Sequence, residues 1–490
     1  MLRRLTLLLC ALLVPVLVAG AQAAPDDYAE KTVKHKKDVT DLRGLPFTRD
    51  VTVGVYSKAE LTAFIKGELD RELPKEKADK YQRAYAKFGL IPKDLDLYKA
   101  YLSLFESSIA GFYHPRTKEL RLIRPADQDD AEQKAMKAMG IDMEAITLVH
   151  ELTHAAQDQN FELSTLPLED ETNDDLIAAL KAVIEGDASA VGWRYGLGEQ
   201  FDARIGLINA GYKMGMLPGE ANKLPAYFKL TLTFPYGYGT DFVLKVLRGT
   251  NSGLKEASKM FKEWPLSTEQ ILHPAKYYQE RDNPTLIVLP GLDGHIGGGW
   301  KETMNNVHGE FSVKILLREH RGDNLRAKLI DDASAGWDGD RYAILENADH
   351  QAMYVWYTTW DSEQDAKEFQ EAYALALEKK YGVAERPGPR DGVLSFESAD
   401  GPVYLERRGS DVLAIDGGPK DVATKAAAIW SSAKKSEMTG FERLKRFVCE
   451  KDGVKTAFSG KCPTCGQPLE YKDDKPAPEK KKQPRDFKVK

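Results

Sequence analysis

Two histidines and a glutamate in the stretch ITLVHELTHAAQDQNFEL are the residues of this chain best suited to chemistry: His150, Glu151 and His154. Residues four apart lie on one face of a helix, so His150 and His154 can present both imidazoles to a single cation. Glu151 then projects beside them. Zinc in a catalytic site takes three protein ligands and a water, and lowers the pKa of that water to about 7. A glutamate next to the first histidine can take the water's proton and deliver it to a leaving amine. The H-E-x-x-H spacing therefore points to metal-assisted hydrolysis. Ile146, Val149, Leu152 and Ala156 make the surroundings apolar. Two histidines and a carboxylate are costly to bury there without a cation.

A third ligand should come from a following helix that also turns a polar group inward. LIAALKAVIEGDASAVGWRYG, beginning at Leu176, is such a run, apolar apart from Lys181 and the cluster Glu185, Gly186, Asp187. Carboxylates in so apolar a setting need a partner, and zinc is one. Glu185 is accordingly the expected third ligand. Asp187 is expected to hold one of the histidines from behind.

Several elements must form to bring these groups together. Ser57 and Glu60 make a capping box ahead of Leu61, Phe64, Ile65 and Leu69, which predicts a helix. Pro74 and Pro92 stand where further helices start. Residues 25–50 are polar and charged and predict an extended lead-in. GFYHPRTKELRLI, residues 111–123, sets a Pro-Arg-Thr-Lys turn between two apolar runs and predicts a β-hairpin just before the His150 helix. Residues 172–264 read as mostly helical, interrupted at LTFPYGYGTDF. Beyond Pro290, FSVKILLREH, DRYAILEN, AMYVWYTTW, GVLSFES, PVYLERRG and DVLAIDG read as short strands. DSEQDAKEFQEAYALALEKKYG reads as a capped helix ending at Gly382. LPGLDGHIGGGW lacks a following Lys-Ser/Thr, so it is expected to be a linker and not a phosphate loop.

At 490 residues the chain is too long for one ordinary core. The expected fold class is α+β. A signal peptide at 1–24 precedes a lead-in and helical section at 25–100. A mainly helical domain with a small sheet follows at 101–290, then a smaller α+β domain at 291–438. A cysteine segment at 441–472 and a disordered tail at 473–490 end the chain.

The first residues, MLRRLTLLLCALLVPVLVAGAQAAP, have a basic start, an apolar run and an A-x-A end at Ala21 and Ala23. This is the pattern of a secretory signal cut after Ala23 or Ala24. Losing Arg3 and Arg4 moves the formal net charge from -6 to about -8, which argues against nucleic acid as a partner. No second apolar run reaches spanning length. An exported chain, periplasmic or extracellular, without a membrane span after cleavage, is the expectation.

VHELTHAAQDQNF followed by IEGDASA resembles the gluzincin metallopeptidases, in which two histidines of H-E-x-x-H and a downstream glutamate hold zinc. It is similar in particular to exported bacterial members with an HELTHALQDQ-like helix and an EGDA-like second helix. GFYHPRTKELRLI, FPYGYG and STEQILHP extend the likeness over roughly 100–280. The metzincin pattern is excluded, because it needs a histidine where Asn160 stands. The resemblance implies a zincin-like fold, one catalytic zinc and a peptide or protein substrate. It also implies substrate pairing along the 111–123 strand and a Tyr or His that stabilises the oxyanion. Tyr236, Tyr238 and His273 are the candidates, with His273 and Tyr236 preferred. A binding or scaffold protein of the cell envelope that keeps the zinc fold without activity is the alternative.

The segment FVCEKDGVKTAFSGKCPTCGQPLEY contains C-x2-C within C-P-x-C-G, a zinc-knuckle turn. It resembles short heavy-metal-binding segments, but Glu450-Lys451-Asp452 and Gln467 replace their soft ligands. Cys449, Asp452, Cys462 and Cys465 are left as a possible second, structural zinc site, with a Cys462–Cys465 disulfide as the competing arrangement.

Overall fold

The computed structural model describes residues 25–472 apart from 109–110, 116, 124–139, 169, 218, 322–324, 384–388, 442–445, 452–453, 457–464 and 466. Residues 1–24, expected as a signal peptide, and the tail expected at 473–490 lie outside the described residues.

The expected extended lead-in is instead a helix, α1 (Pro25–Arg43). Tyr28, Thr32, His35, Val39 and Arg43 recur every three or four residues and are buried, so a narrow inward stripe underlies the polar composition. Tyr28 and Val39 share an apolar cluster with Leu148, Val149 and Leu152. Next come β1 (Thr52–Tyr56), α2 (Lys58–Glu72), α3 (Lys75–Phe88) and α4 (Leu97–Ser108). Ser57 and Glu60 close the capping box on α2. The predicted hairpin forms as β2 (Gly111–His114) and β3 (Glu119–Ile123), and β1 adds to it in parallel, giving the order β1-β3-β2.

The helix carrying the motif is α5 (Met143–Phe161), capped by Asp142, whose side chain accepts from the Ala145 amide. It is buried on nearly every face from Met143 to Asp158, as befits the centre of a helical layer. Beside it runs α6 (Asp174–Leu197), capped by Asn173. After α7 (Phe201–Lys213) comes α8 (Ala226–Gly249), which passes unbroken through FPYGYG with Pro235 inside it.

The expected interruption is therefore absent, for a tertiary reason. A Cβ on Gly239 would lie 2.3 Å from the Ala182 carbonyl oxygen, and one on Gly186 would lie 2.3 Å from the Gly239 backbone. The glycines that read as breakers let two helices touch through their backbones. Burial of Phe234, Phe242 and Val243 outweighs the poor local propensity.

The C-terminal part contains a six-stranded antiparallel sheet in the order β5-β6-β7-β10-β9-β8. After β4 (Thr285–Val288), its strands are β5 (Lys301–Asn306), β6 (Trp337–Glu346), β7 (Ala352–Trp360), β8 (Val393–Ser398), β9 (Gly401–Arg408) and β10 (Asp411–Asp416). FSVKILLREH, expected as a strand, is the helix α9 (Gly309–Glu319), whose buried residues include Phe311, Val313, Ile315, Leu316 and Leu317. The expected linker holds a short helix at Leu292–Ile296. The capped helix predicted before Gly382 spans Glu363–Tyr381, and Gly382 adopts φ 60°.

One apolar core runs from Leu61 to Met438. Phe88 of α3 stacks on Tyr354 of the sheet at 4.3 Å between centroids. Lys87 meets Asp416 at 2.8 Å and Arg83 meets Glu346 at 2.9 Å. The 25–100 section and the sheet are thus packed into each other, and the residue-291 boundary is no break in the core. The fold class is α+β. No described helix is long and apolar enough to cross a membrane.

Candidate metal centre

Helical periodicity on α5 places His150 and His154 one turn apart, with Nε2 atoms 3.0 Å from each other. Close packing of α6 brings a Glu185 carboxylate oxygen to 3.4 Å from each Nε2. None of the three is more than 3% exposed. Two ligand atoms about 2.05 Å from one tetrahedral ion stand about 3.3 Å apart, so these separations suit zinc without rearrangement. Both Glu185 oxygens and Oε1 of Glu151 are buried with no hydrogen-bond partner among the described residues. Carboxylate oxygens in that condition need a positive partner, an imidazolium or a metal ion.

Glu151 lies on the same turn. Its Oε2 accepts from the Tyr113 backbone N–H of β2 at 2.7 Å, while Oε1 is 4.0 Å from His150 Nε2. Tyr113 also donates its hydroxyl to Asp158, and Lys118 reaches the same carboxylate at 2.6 Å, so the hairpin is pinned along α5. Asp187 touches no cluster histidine directly in these contacts. It accepts from Gln157 Nε2 at 2.8 Å, and the Gln157 oxygen faces His154 Nδ1 at 2.9 Å. Gln157 was not anticipated, although it sits three residues after His154 on the same helical face. Nor was Arg43, whose Nε donates to both Asp187 oxygens at 2.6 and 2.9 Å.

Burial would lower the His154 pKa, but the facing Glu185 carboxylate outweighs it and raises the group to about 9. Burial would raise Glu185, and the two histidines win by pulling it to about 2. For Glu151 burial prevails over the attraction of the histidines, and its pKa is raised. A carboxylate with an elevated pKa beside such a cluster is the form a proton carrier takes.

Of the candidate oxyanion donors, Tyr236 has its ring against His150, with centroids 6.3 Å apart and planes 22° from parallel. Tyr238 packs on Phe234 and Phe311. His273 caps a short helix and bonds Glu310 at 2.9 Å. A second acidic group, Glu269, Asp282 and Asp361, already surrounds a cation, because Lys276 Nζ lies 2.6, 2.8 and 2.5 Å from the three carboxylates. In the cysteine segment, Cys449 Sγ and Cys465 Sγ are 3.6 Å apart. Asp452 and Cys462 lie outside the described residues.

Residues 299–427 match a domain of unknown function, DUF8575. That stretch covers the antiparallel sheet and none of the cluster. No curated protein matches the chain. A crystal structure from Chloroflexus aurantiacus, described as a candidate hydrolase with a novel fold, is similar at 20% identity over 56% of this chain and 95% of that one. The TM-score is 0.34.

Proposed function

We propose that this chain is an exported zinc-dependent peptidase, with zinc held by His150, His154 and Glu185. The observation that carries the reading is the convergence of these side chains on one point, with buried carboxylate oxygens that no donor among the described residues hydrogen-bonds. Zinc bound there would supply Lewis acidity and bring water's pKa close to neutrality.

The chain's own residues do the remaining work. Glu151 Oε1 takes a proton from the attacking water and passes it to the leaving amine. Tyr113 N–H holds the other carboxylate oxygen, so the acceptor atom keeps its aim. β2 is an edge strand of its sheet, and in this reading an extended substrate pairs with its backbone. Tyr236, beside His150, is the oxyanion donor this reading prefers.

Replacing Glu151→Gln keeps the shape and removes the base. Turnover of a peptide library should fall by roughly 100-fold or more, with bound zinc unchanged by elemental analysis. Equal turnover in the variant refutes the role of Glu151. Full zinc content in a wild type that cleaves no peptide would favour a binding protein.

A further inference from the structure

Gln157 donates from its amide nitrogen to two acceptors, the Ile184 carbonyl at 3.0 Å and Asp187 at 2.8 Å. An amide nitrogen needs acceptors, so this pair decides which way the side chain points. The oxygen is left facing His154 Nδ1 at 2.9 Å. His154 must then donate from Nδ1, and Nε2 is the nitrogen turned toward His150 and Glu185.

Asp187 is itself oriented from 144 residues away. Arg43, the last residue of α1, donates through Nε to both of its oxygens, and both side chains are fully buried. Arg43 also reaches Ser258 Oγ at 3.0 Å and lies over the Phe261 ring. The guanidinium is thereby fixed on three sides.

We infer that Arg43 is a positioning residue for the metal centre: acting through Asp187 and Gln157, it keeps the His154 proton on Nδ1 and leaves Nε2 as the nitrogen that can ligate. The inference rests on the metal-centre reading above. Without an acceptor at position 187, only the Ile184 carbonyl holds the Gln157 amide in this orientation, and the opposite one becomes competitive. Its NH2 would then face Nδ1 and force the His154 proton onto Nε2, where it blocks ligation. A consequence follows for the first helix. It is a component of the site, so processing that removed it would cost the centre its anchor.

The test is zinc affinity by chelator competition, with histidine ¹⁵N spectra of the zinc-loaded protein. A single buried-charge deletion risks the fold, so the ion pair is replaced whole, as Arg43→Met with Asp187→Leu. This variant should fold and bind zinc about 10- to 100-fold more weakly. Arg43→Lys, which keeps the charge, should recover part of the loss. If the double variant does not fold, Gln157→Met gives the same reading, because it removes the amide and spares the ion pair. Wild-type affinity and unchanged histidine spectra in a folded variant overturn the inference. A wild type with no zinc affinity overturns the metal centre as well. A wild type that binds zinc, loses affinity on these substitutions and cleaves nothing overturns the peptidase alone.

Discussion

Two sets of buried carboxylates in this molecule are equally hidden and differ in what surrounds them. In the C-terminal sheet, Asp340 accepts from the His308 and Gly309 amides and from the indoles of Trp337 and Trp356, at 2.8 to 3.2 Å. Asp416 is met by Lys87, Lys380 and the Tyr381 hydroxyl. Between α5 and α6, the Glu185 oxygens and Glu151 Oε1 have no such donors among the described residues. Burial alone therefore does not separate a structural carboxylate from a ligand. The donor inventory does: the sheet carboxylates are met by N–H, ammonium and hydroxyl donors, whereas Glu185 faces two imidazoles at 3.4 Å, groups that can either hold a proton against its charge or share a metal ion with it.

The contrast can be broken most forcefully at Asp340. Asp340→Ala strands two amides and two indoles, and should cost about 3–5 kcal/mol of stability in denaturant unfolding. Zinc should make no difference to that loss. The converse holds at the other set. Zinc at 100 times its Kd should stabilise the wild type by about 2.7 kcal/mol, and Glu185→Gln should abolish this gain. A variant that keeps the zinc-dependent rise in Tm would remove Glu185 from the centre.

Packing offers a smaller lever. Gly186→Ala drives a methyl into the Gly239 backbone, which should cost about 1–3 kcal/mol and weaken zinc binding by moving Glu185. Unaltered stability would show that α6 and α8 have room to separate.

The finest test is titration. The metal-free His154 holds its proton to about pH 9 because Glu185 faces it. Ligation must displace that proton, so zinc affinity should rise about tenfold per pH unit from 7 toward 9, with proton release seen by calorimetry in two buffers. The sign for stability is opposite. The metal-free pair contributes fully below the unfolded histidine pKa of about 6.5, and its contribution fades as pH rises through about 9. A flat zinc affinity over that range would mean that His154 is not the ligand.

Much of the local structure was readable before any coordinates. Ser57 caps a helix, the Pro-Arg-Thr-Lys turn makes a hairpin, and DRYAILEN, AMYVWYTTW, GVLSFES, PVYLERRG and DVLAIDG form strands of the sheet. The misreadings share a cause. FPYGYG looked like a break because its glycines serve a neighbouring helix, and FSVKILLREH looked like a strand because its apolar run was short enough for either period. Residues 25–43 looked like solvent-exposed chain because their inward stripe is narrow.

Sequence alone determined that His150 and His154 share a face with Glu151 beside them, since a spacing of four is a property of the helix itself. It also singled out Glu185 as a carboxylate in an apolar run. Only the tertiary structure decided that Glu185 arrives at both imidazoles, that Gln157 stands between His154 and Asp187, and that Arg43 closes the line. Periodicity is written into neighbouring residues, whereas a hydrogen bond spanning 144 positions exists only after the helices have packed.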